Sequence, residues 1–140
     1  MKIELHNYLI SQSNKVKINS KDILKGDVFL ALEGKNIHGN EFISDALNNG
    51  AKYIITNKYF KNYISKNNIL IVDNVLDFLS ELAIKKRSLF KGKVIGITGS
   101  IGKTSVKESL KYFLSSTKIS ASIKSFNNRL GVLLSLINID

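Results

Sequence analysis

Short apolar runs alternate with amphipathic stretches along the first ninety residues, and this alternation restricts most strongly what the chain can fold into. Residues 28–32, 53–55 and 69–72 are apolar runs of strand length. The stretches 42–47 and 75–87 instead repeat apolar side chains at helical spacing, and Asn74 stands where it can cap the second of them. Strands that alternate with helices are typical of a parallel sheet covered by helices. We therefore predict an α/β fold.

A new strand–loop–helix unit begins after residue 90. Residues 93–98 predict a strand, and residues 102–115 predict a helix with one apolar face. We expect a small N-terminal mixed α/β domain over residues 1–90, followed by the start of a phosphate-loop α/β domain over residues 91–140. The second domain would be incomplete, because such domains normally need about 100 residues or more. We expect the apolar run 130–139 to be poorly covered as a result.

The composition excludes several classes of function. The 140 residues contain no cysteine and only two histidines, so neither a disulfide framework nor a thiolate metal site is available. We interpret His6 as structural and His38 as a loop residue. No apolar run approaches the roughly 20 residues of a membrane span, and the first residues lack the apolar core of a signal peptide. We expect a cytoplasmic protein without a membrane partner.

The net charge of +10 comes from 21 basic and 11 acidic residues, and it is spread along the chain. Only two of the basic residues are arginines, and no dense basic cluster is present. A nucleic-acid interface would concentrate its charge and use arginine for base edges. We therefore predict no nucleic-acid partner. A solvated lysine surface is the first interpretation of this charge, and a general attraction for polyanions, which include nucleotides, nucleotide sugars and nucleic acid, is the alternative.

The most informative stretch lies between the predicted strand 93–98 and the helix that follows. Glycines there allow backbone N–H groups to face phosphate oxygens, and the helix adds its positive end. Lys103 would reach the β- and γ-phosphates of ATP, and Thr104 would offer its hydroxyl to Mg²⁺. Ile97 occupies the first glycine position of the strict phosphate-loop pattern, so a plain glycine-rich turn is the alternative. The predicted ATP contacts are Gly99, Ser100, Ile101, Gly102, Lys103, Thr104 and Ser105.

Residues 98–104 resemble the T-G-[ST]-x-G-K-T loop of the Mur ligases. Lys107 and Glu108 follow the loop as they do in one branch of that family, and residues 126–132 resemble its F-N-N-x-[IL]-G-x-P segment. Upstream, residues 20–34 resemble the family's N-terminal signature, which contains G-D-x-F-x-A-L-x-G. The resemblance covers nearly the whole chain, and it covers only the first third or so of such an enzyme.

The resemblance implies an ATP-dependent ligase of peptidoglycan precursor synthesis that uses Mg²⁺. The branch concerned joins D-alanyl-D-alanine to UDP-N-acetylmuramoyl-tripeptide through an acyl phosphate. It implies a catalytic role for Lys103, and contacts of Ser20 and Lys21 with the UDP-sugar. Asn127 and Asn128 would face the reacting centre, although a turn or helix cap is as good a reading of two asparagines.

Three departures from the family pattern stand out. Residues 19–21 are Asn-Ser-Lys where D-S-R is usual, residues 38–40 are His-Gly-Asn where D-G-H is usual, and Leu133 replaces a proline. Two functions therefore compete: the N-terminal portion of the ligase, inactive as a 140-residue chain, and a non-catalytic module that binds a nucleotide or UDP-sugar. An unrelated small phosphate-loop protein is a weaker third, because the upstream signature has no role in other phosphate-loop folds.

Overall fold

The computed structural model describes residues 2–11, 15–58, 67–122 and 128–139. In chain order the regular elements are α1 (Lys2–Ser11), β1 (Val16–Lys17), β2 (Val28–Ala31), α2 (Ile43–Asn48), β3 (Tyr53–Thr56), β4 (Ile69–Ile71), α3 (Val75–Leu89), α4 (Lys103–Phe113) and α5 (Arg129–Ile137). Two 3₁₀ turns, Ser20–Asp22 and Gly39–Phe42, lie between them. None of the helices in these ranges is both long and apolar enough to cross a membrane.

The four strands form one sheet in the order β1-β2-β3-β4, and every neighbouring pair is parallel. The α/β fold and the three predicted strands are confirmed. α1 and β1 are not predicted by the sequence pattern. A strand of two residues leaves too little alternation to detect, and α1 mixes apolar and polar side chains without a continuous apolar stripe.

Both faces of the sheet are buried, as parallel sheets require. Successive side chains of β2 point to opposite faces, so Val28 and Leu30 join one apolar cluster while Phe29 and Ala31 join the other. Residues of α1, α3 and α5 cover the first cluster, and α2 covers the second together with Ile23, which follows the Ser20–Asp22 turn. The molecule thus has a layer of helices on each side of the sheet.

The predicted helix boundaries follow from local chemistry. The Asn74 side chain accepts hydrogen bonds from the N–H groups of Leu76 and Asp77, which caps α3 as expected. After α2 the chain turns at Gly50, whose φ of +97° is costly for any residue with a Cβ. These two signals set the turn between α2 and β3 and the start of α3 after β4.

The predicted strand 93–98 is wrong. Residues 91–102 contain neither a strand nor a helix. A strand needs a neighbour to take up its backbone N–H and C=O groups, and none of the described strands pairs with this segment. Residues 93–98 therefore have the composition of a strand, but they pair with none of the described strands.

The expectation that residues 130–139 would be poorly covered is also wrong. They form most of α5, which packs along α3 and buries Leu134 and Ile137 in the first cluster. Thus a segment that follows the phosphate loop in sequence contributes to the core around the N-terminal sheet. The division into domains 1–90 and 91–140 stays a prediction.

Candidate functional site

The predicted phosphate loop precedes α4 directly. Gly99 and Gly102 have φ of +148° and +82°, values that residues with a Cβ rarely adopt. A Cβ added to Gly102 would meet nothing within 4 Å, so backbone conformation, and not crowding, requires glycine there. Gly102 is also the N-cap of α4, and no side chain in the described part of the molecule caps that helix. The first turn of α4 therefore presents backbone N–H groups to an external anion.

The Lys103 side chain folds back over this loop. Its Nζ donates to the carbonyl oxygens of Gly99 and Ser100, the second at 3.2 Å. Ile101, at the crest of the loop, is 94% exposed, and Thr104 and Ser105 are exposed in the first helical turn. The seven predicted ATP contacts, residues 99–105, thus lie in the loop before α4 and in the first turn of that helix, with the Lys103 ammonium group across the loop.

The protein groups around Thr104 could bind Mg²⁺ only together with the phosphates of a bound nucleotide. Mg²⁺ usually keeps several waters and takes few protein ligands alongside substrate phosphates. In the part of the chain that the structure describes, no three histidine, aspartate or glutamate side chains converge on a common point. The exposed Thr104 hydroxyl in the first turn of α4 is compatible with the role predicted for it.

The rest of α4 carries an apolar face that is largely exposed. Val106 and Phe113, which lie two turns apart on this face, are 48% and 76% exposed. On the same helix Lys107 Nζ lies 3.1 Å from Glu108 Oε1 and donates to the Ser122 carbonyl at 3.0 Å. Lys107 therefore ties the phosphate-loop helix to the chain that leads toward residues 123–127.

Ser20 and Lys21, the residues predicted to contact the UDP-sugar, lie near the carboxyl end of β1, and ligands of open α/β sheets bind at the carboxyl ends of the strands. Ser20 and Lys21 form the 3₁₀ turn shortly after β1, which Asn19 caps by accepting from the Lys21 N–H at 3.1 Å. Ser20 is buried and Lys21 is exposed. The Ser20 carbonyl accepts from Asn49 Nδ2 at 2.9 Å, which ties the turn to the end of α2.

A buried polar cluster at the same edge was missed by the sequence analysis. Thr56 Oγ1, at the end of β3, donates to Asn40 Oδ1 at 2.7 Å, and Asn40 Nδ2 donates to the Lys58 carbonyl at 3.2 Å. His38 Nδ1 accepts from the Asn40 N–H, and its Nε2 lies 3.2 Å from Asn57 Oδ1. The sequence does contain a signal for this cluster. Polar residues at the carboxyl ends of two adjacent parallel strands come close together, and Asn40 and Thr56 follow that pattern for β2 and β3.

Gly39 allows this cluster to form. A Cβ at Gly39 would lie 2.7 Å from the Leu32 nitrogen and 2.8 Å from the Ala31 Cα, both backbone atoms. The Gly39 N–H donates to the Leu32 carbonyl at 2.7 Å, so the 3₁₀ turn lies directly against the end of β2. Gly39 is the glycine that this chain shares with the family's D-G-H triplet. The close packing of its backbone against that of Ala31 and Leu32 explains why a glycine is needed there.

Of the two asparagines predicted to contact substrate, the structure describes Asn128. Asn127 lies outside the described residues. Asn128 is the N-cap of α5, where its Oδ1 accepts from the Gly131 N–H at 2.8 Å. The cap is one of the two interpretations that the sequence left open for Asn128, and it does not conflict with a substrate contact.

The chain is similar in sequence to curated ligases that act on UDP-N-acetylmuramoyl peptides. The chain is 45% identical to the UDP-N-acetylmuramoyl-tripeptide–D-alanyl-D-alanine ligase of Rickettsia prowazekii (strain Madrid E), over 88% of this chain and 27% of that enzyme. It is 42% identical to the UDP-N-acetylmuramoyl-L-alanyl-D-glutamate–2,6-diaminopimelate ligase of Rickettsia typhi (strain ATCC VR-144 / Wilmington), over 66% of this chain and 18% of that enzyme.

Among solved structures, the MurF ligase from Thermotoga maritima in complex with ADP superposes with a TM-score of 0.72 at 35% identity. That likeness covers 94% of this chain and 30% of the solved one. The chain therefore spans between a quarter and a third of the length of the tripeptide ligases that it matches.

A family model supplies the assignment. The model of the Mur ligase family, catalytic domain, matches residues 13–87, more than half of the chain. This match ends before the phosphate loop, so it is independent of the loop motif. The chain belongs to the Mur ligase family.

Proposed function

We propose that this chain carries the nucleotide loop and the sugar-nucleotide domain of an ATP-dependent ligase. The ligase adds D-alanyl-D-alanine to UDP-N-acetylmuramoyl-tripeptide during peptidoglycan precursor synthesis in the cytoplasm. The observation that carries the proposal is the first turn of α4, which lacks a side-chain cap and follows two glycines of positive φ with Lys103 folded over them. The names of the matched relatives support the choice of substrates.

At the ATP end, the chain's own residues bind and orient phosphate. Backbone N–H groups of the loop and the positive end of α4 attract the β- and γ-phosphates. Lys103 would exchange its bonds to the Gly99 and Ser100 carbonyls for bonds to phosphate oxygens, which are stronger because both partners are charged. Mg²⁺ bound beside Thr104 would neutralise further phosphate charge. Phosphoryl transfer depends mainly on such positioning and charge neutralisation.

At the sugar-nucleotide end, the proposed contacts are Ser20 and Lys21. The turn is rigid, because Asn19 caps it and Asn49 holds its first carbonyl. The exposed Lys21 ammonium is suited to a diphosphate, although it lacks the two-pronged geometry of the arginine usual in the family. Asn127 and Asn128 stay as proposed substrate contacts.

Titration calorimetry of the 140-residue chain with ADP tests the nucleotide site. A charge-assisted contact is worth about 1.5–3 kcal/mol, so Lys103→Ala should weaken ADP binding roughly ten- to a hundredfold. Lys111→Ala is the matched control, since it removes the same charge from the last turn of the same helix. Equal affinity of the Lys103 and Lys111 variants would contradict the assignment of the loop.

Titration with UDP-N-acetylmuramic acid tests the first domain separately. Lys21→Ala should weaken this binding, and Lys25→Ala should not, because Lys25 precedes β2 and lies toward the opposite edge of the sheet. Amide chemical-shift changes should concentrate at residues 19–22 and 38–40. Shifts confined to residues 99–104 would mean that the chain has generic phosphate binding alone.

A binding module without turnover is the second candidate. It is favoured by the exposed apolar face of α4, because a phosphate loop on an uncovered helix does not exclude water from a reactive acyl phosphate. We expect the 140 residues by themselves to bind without ligating. Phosphate release should stay at the level of the Lys103→Ala control when ATP, Mg²⁺, the UDP-tripeptide and D-alanyl-D-alanine are present. Substrate-dependent release above that control would show that these residues suffice for catalysis.

A further inference from the structure

Among the strands of the described residues, β1 has a neighbour on one side, β2, in the register Val16–Val28 and Lys17–Phe29. Just before β1, the Lys15 carbonyl accepts from the Val28 N–H at 2.9 Å. Backbone groups of successive residues in a strand point to opposite sides. The N–H and C=O of Val16 therefore face away from β2, toward the open edge.

The side chain of Asn138 occupies that edge. Its Oδ1 accepts from the Val16 N–H at 2.8 Å, and its Nδ2 donates to the Val16 carbonyl at 3.0 Å. One amide side chain thus pairs with both backbone groups, as a neighbouring strand would. Lys15 Nζ adds a bond to the Asn138 carbonyl at 2.8 Å. All three bonds join segments more than 120 residues apart in sequence.

Asn138 is held in turn by the packing of α5. Leu134 and Ile137 are 8% and 2% exposed and lie in the same apolar cluster as Val16. At the other end of α5, Arg129 makes a 3.3 Å ion pair with Asp77, but both side chains are more than 60% exposed. Exposed pairs of this kind contribute little. The end of α5 that carries Asn138 is therefore the well-anchored one.

The strand that Asn138 holds leads directly into the proposed sugar-nucleotide turn. Only Lys17 and Ile18 separate Val16 from Asn19, the cap of that turn. A two-residue strand has few ladder bonds of its own, so its position depends on what lies at its open edge.

We propose that Asn138 is a positioning residue for the Ser20–Asp22 turn. By pairing with Val16 it fixes β1, and so a segment beyond the phosphate loop determines how the first domain presents Ser20 and Lys21. This inference rests on the proposed function for its ligand, although its structural part can be measured without any ligand.

Three variants of the 140-residue chain provide the test. Asn138→Leu removes both bonds to Val16 at similar volume, and Asn138→Asp retains the acceptor while losing the donor. Ser135→Ala is the matched control on the same helix, because Ser135 Oγ bonds only within α5, to the Gly131 carbonyl. Each variant is examined by amide hydrogen exchange and by titration with UDP-N-acetylmuramic acid and with ADP.

Exchange of the amides of residues 16–22 should accelerate about tenfold in Asn138→Leu, since about one or two net hydrogen bonds are lost, while residues 53–56 stay protected. UDP-N-acetylmuramic acid should bind roughly three- to tenfold more weakly, and ADP binding should stay within about twofold of the parent. Asn138→Asp should also accelerate exchange and weaken sugar-nucleotide binding, because a carboxylate oxygen in place of Nδ2 would face the Val16 carbonyl with no hydrogen to donate. Ser135→Ala should match the parent.

The outcomes separate the inference from the proposed function. A parent chain that does not bind the sugar nucleotide would overturn the proposed function of the first domain, and the exchange data would still decide the role of Asn138. Unchanged protection of residues 16–22 in both Asn138 variants would overturn the inference. Equal weakening of sugar-nucleotide and ADP binding would also overturn it, since general loosening of the fold would then explain the effect.

Discussion

Thr56 donates its hydroxyl hydrogen to Asn40 Oδ1 at 2.7 Å, and the two residues are 1% and 2% exposed. This pair joins the end of β3 to the 3₁₀ turn that follows β2. Because both groups are buried, neither can turn to water if the other is removed. The carboxyl edge of the sheet, where the proposed sugar-nucleotide site lies, is thus held together by a polar contact inside the fold.

Thr56→Val should lower the free energy of unfolding by about 1–3 kcal/mol, because it leaves Asn40 Oδ1 and the Lys58 N–H without the Thr56 oxygen at nearly constant volume. Urea unfolding measures the change. Thr98→Val is the control, since Thr98 is exposed and the same chemical change there should have little effect. A Thr56 variant as stable as the parent would mean that the pair contributes nothing.

Gly39→Ala should destabilise the chain by about 1–3 kcal/mol, because the new Cβ would press on the backbone of Ala31 and Leu32. Gly96→Ala is the matched control, as a Cβ at Gly96 would meet nothing within 4 Å. Thermal unfolding of the two variants beside the parent gives the comparison. Equal losses of stability in the two variants would mean that the backbone of Ala31 and Leu32 can move to make room for a Cβ at Gly39.

Ile137→Ala should cost about 2–5 kcal/mol, since a side chain that is 2% exposed would leave a cavity in the first apolar cluster. Val132→Ala on the same helix, at a side chain that is 50% exposed, should cost much less. Denaturant titration of both variants tests whether α5 is part of the cooperative fold. Small and equal costs would indicate that α5 does not dock in solution.

His6 should make stability depend on pH. Burial, chiefly, and then the charges of Lys85 and Lys2 lower the pKa of His6 below its ordinary value of 6.5, while Glu81 opposes the shift. The unfolded chain therefore binds a proton more readily than the folded one. The contribution of His6 to stability is fully present above pH 6.5 and is lost as the pH falls through 6.5 toward the lower folded pKa.

The free energy of unfolding, measured by urea titration between about pH 7.5 and 5.5, should thus decrease more in the parent than in His6→Leu. His6 Nε2 is buried beside the stacked Phe78 ring and has no hydrogen-bond partner among the described residues, so we expect the leucine variant to fold. Asn7→Ala, an exposed change on the same helix, should retain the pH dependence of the parent. An identical slope in parent and His6→Leu would contradict the assignment.

Much of the fold could be predicted from the sequence because the signals are local. The runs that became β2, β3 and β4 are apolar on both sides, as strands buried on two faces must be. Asn74 and Gly50 mark helix ends through the chemistry of their own backbone and side chain. The glycine pattern before Lys103 likewise depends only on neighbouring residues, so the candidate phosphate loop could be located without a structure.

The remaining features depend on contacts between distant residues. Residues 93–98 have the composition of a strand, but a strand exists only where a sheet offers an unpaired neighbour. β1 shows the opposite case. Its two residues form a strand because their backbone groups find partners on both sides, in β2 on one side and in the Asn138 amide on the other. In the sequence, Asn40 is a loop residue and Thr56 is a strand residue, and nothing local indicates that they interact. Their contact depends on the parallel pairing of β2 with β3. Sequence determined which segments are apolar and where the chain turns, whereas the tertiary structure decided which backbone groups and buried side chains find partners.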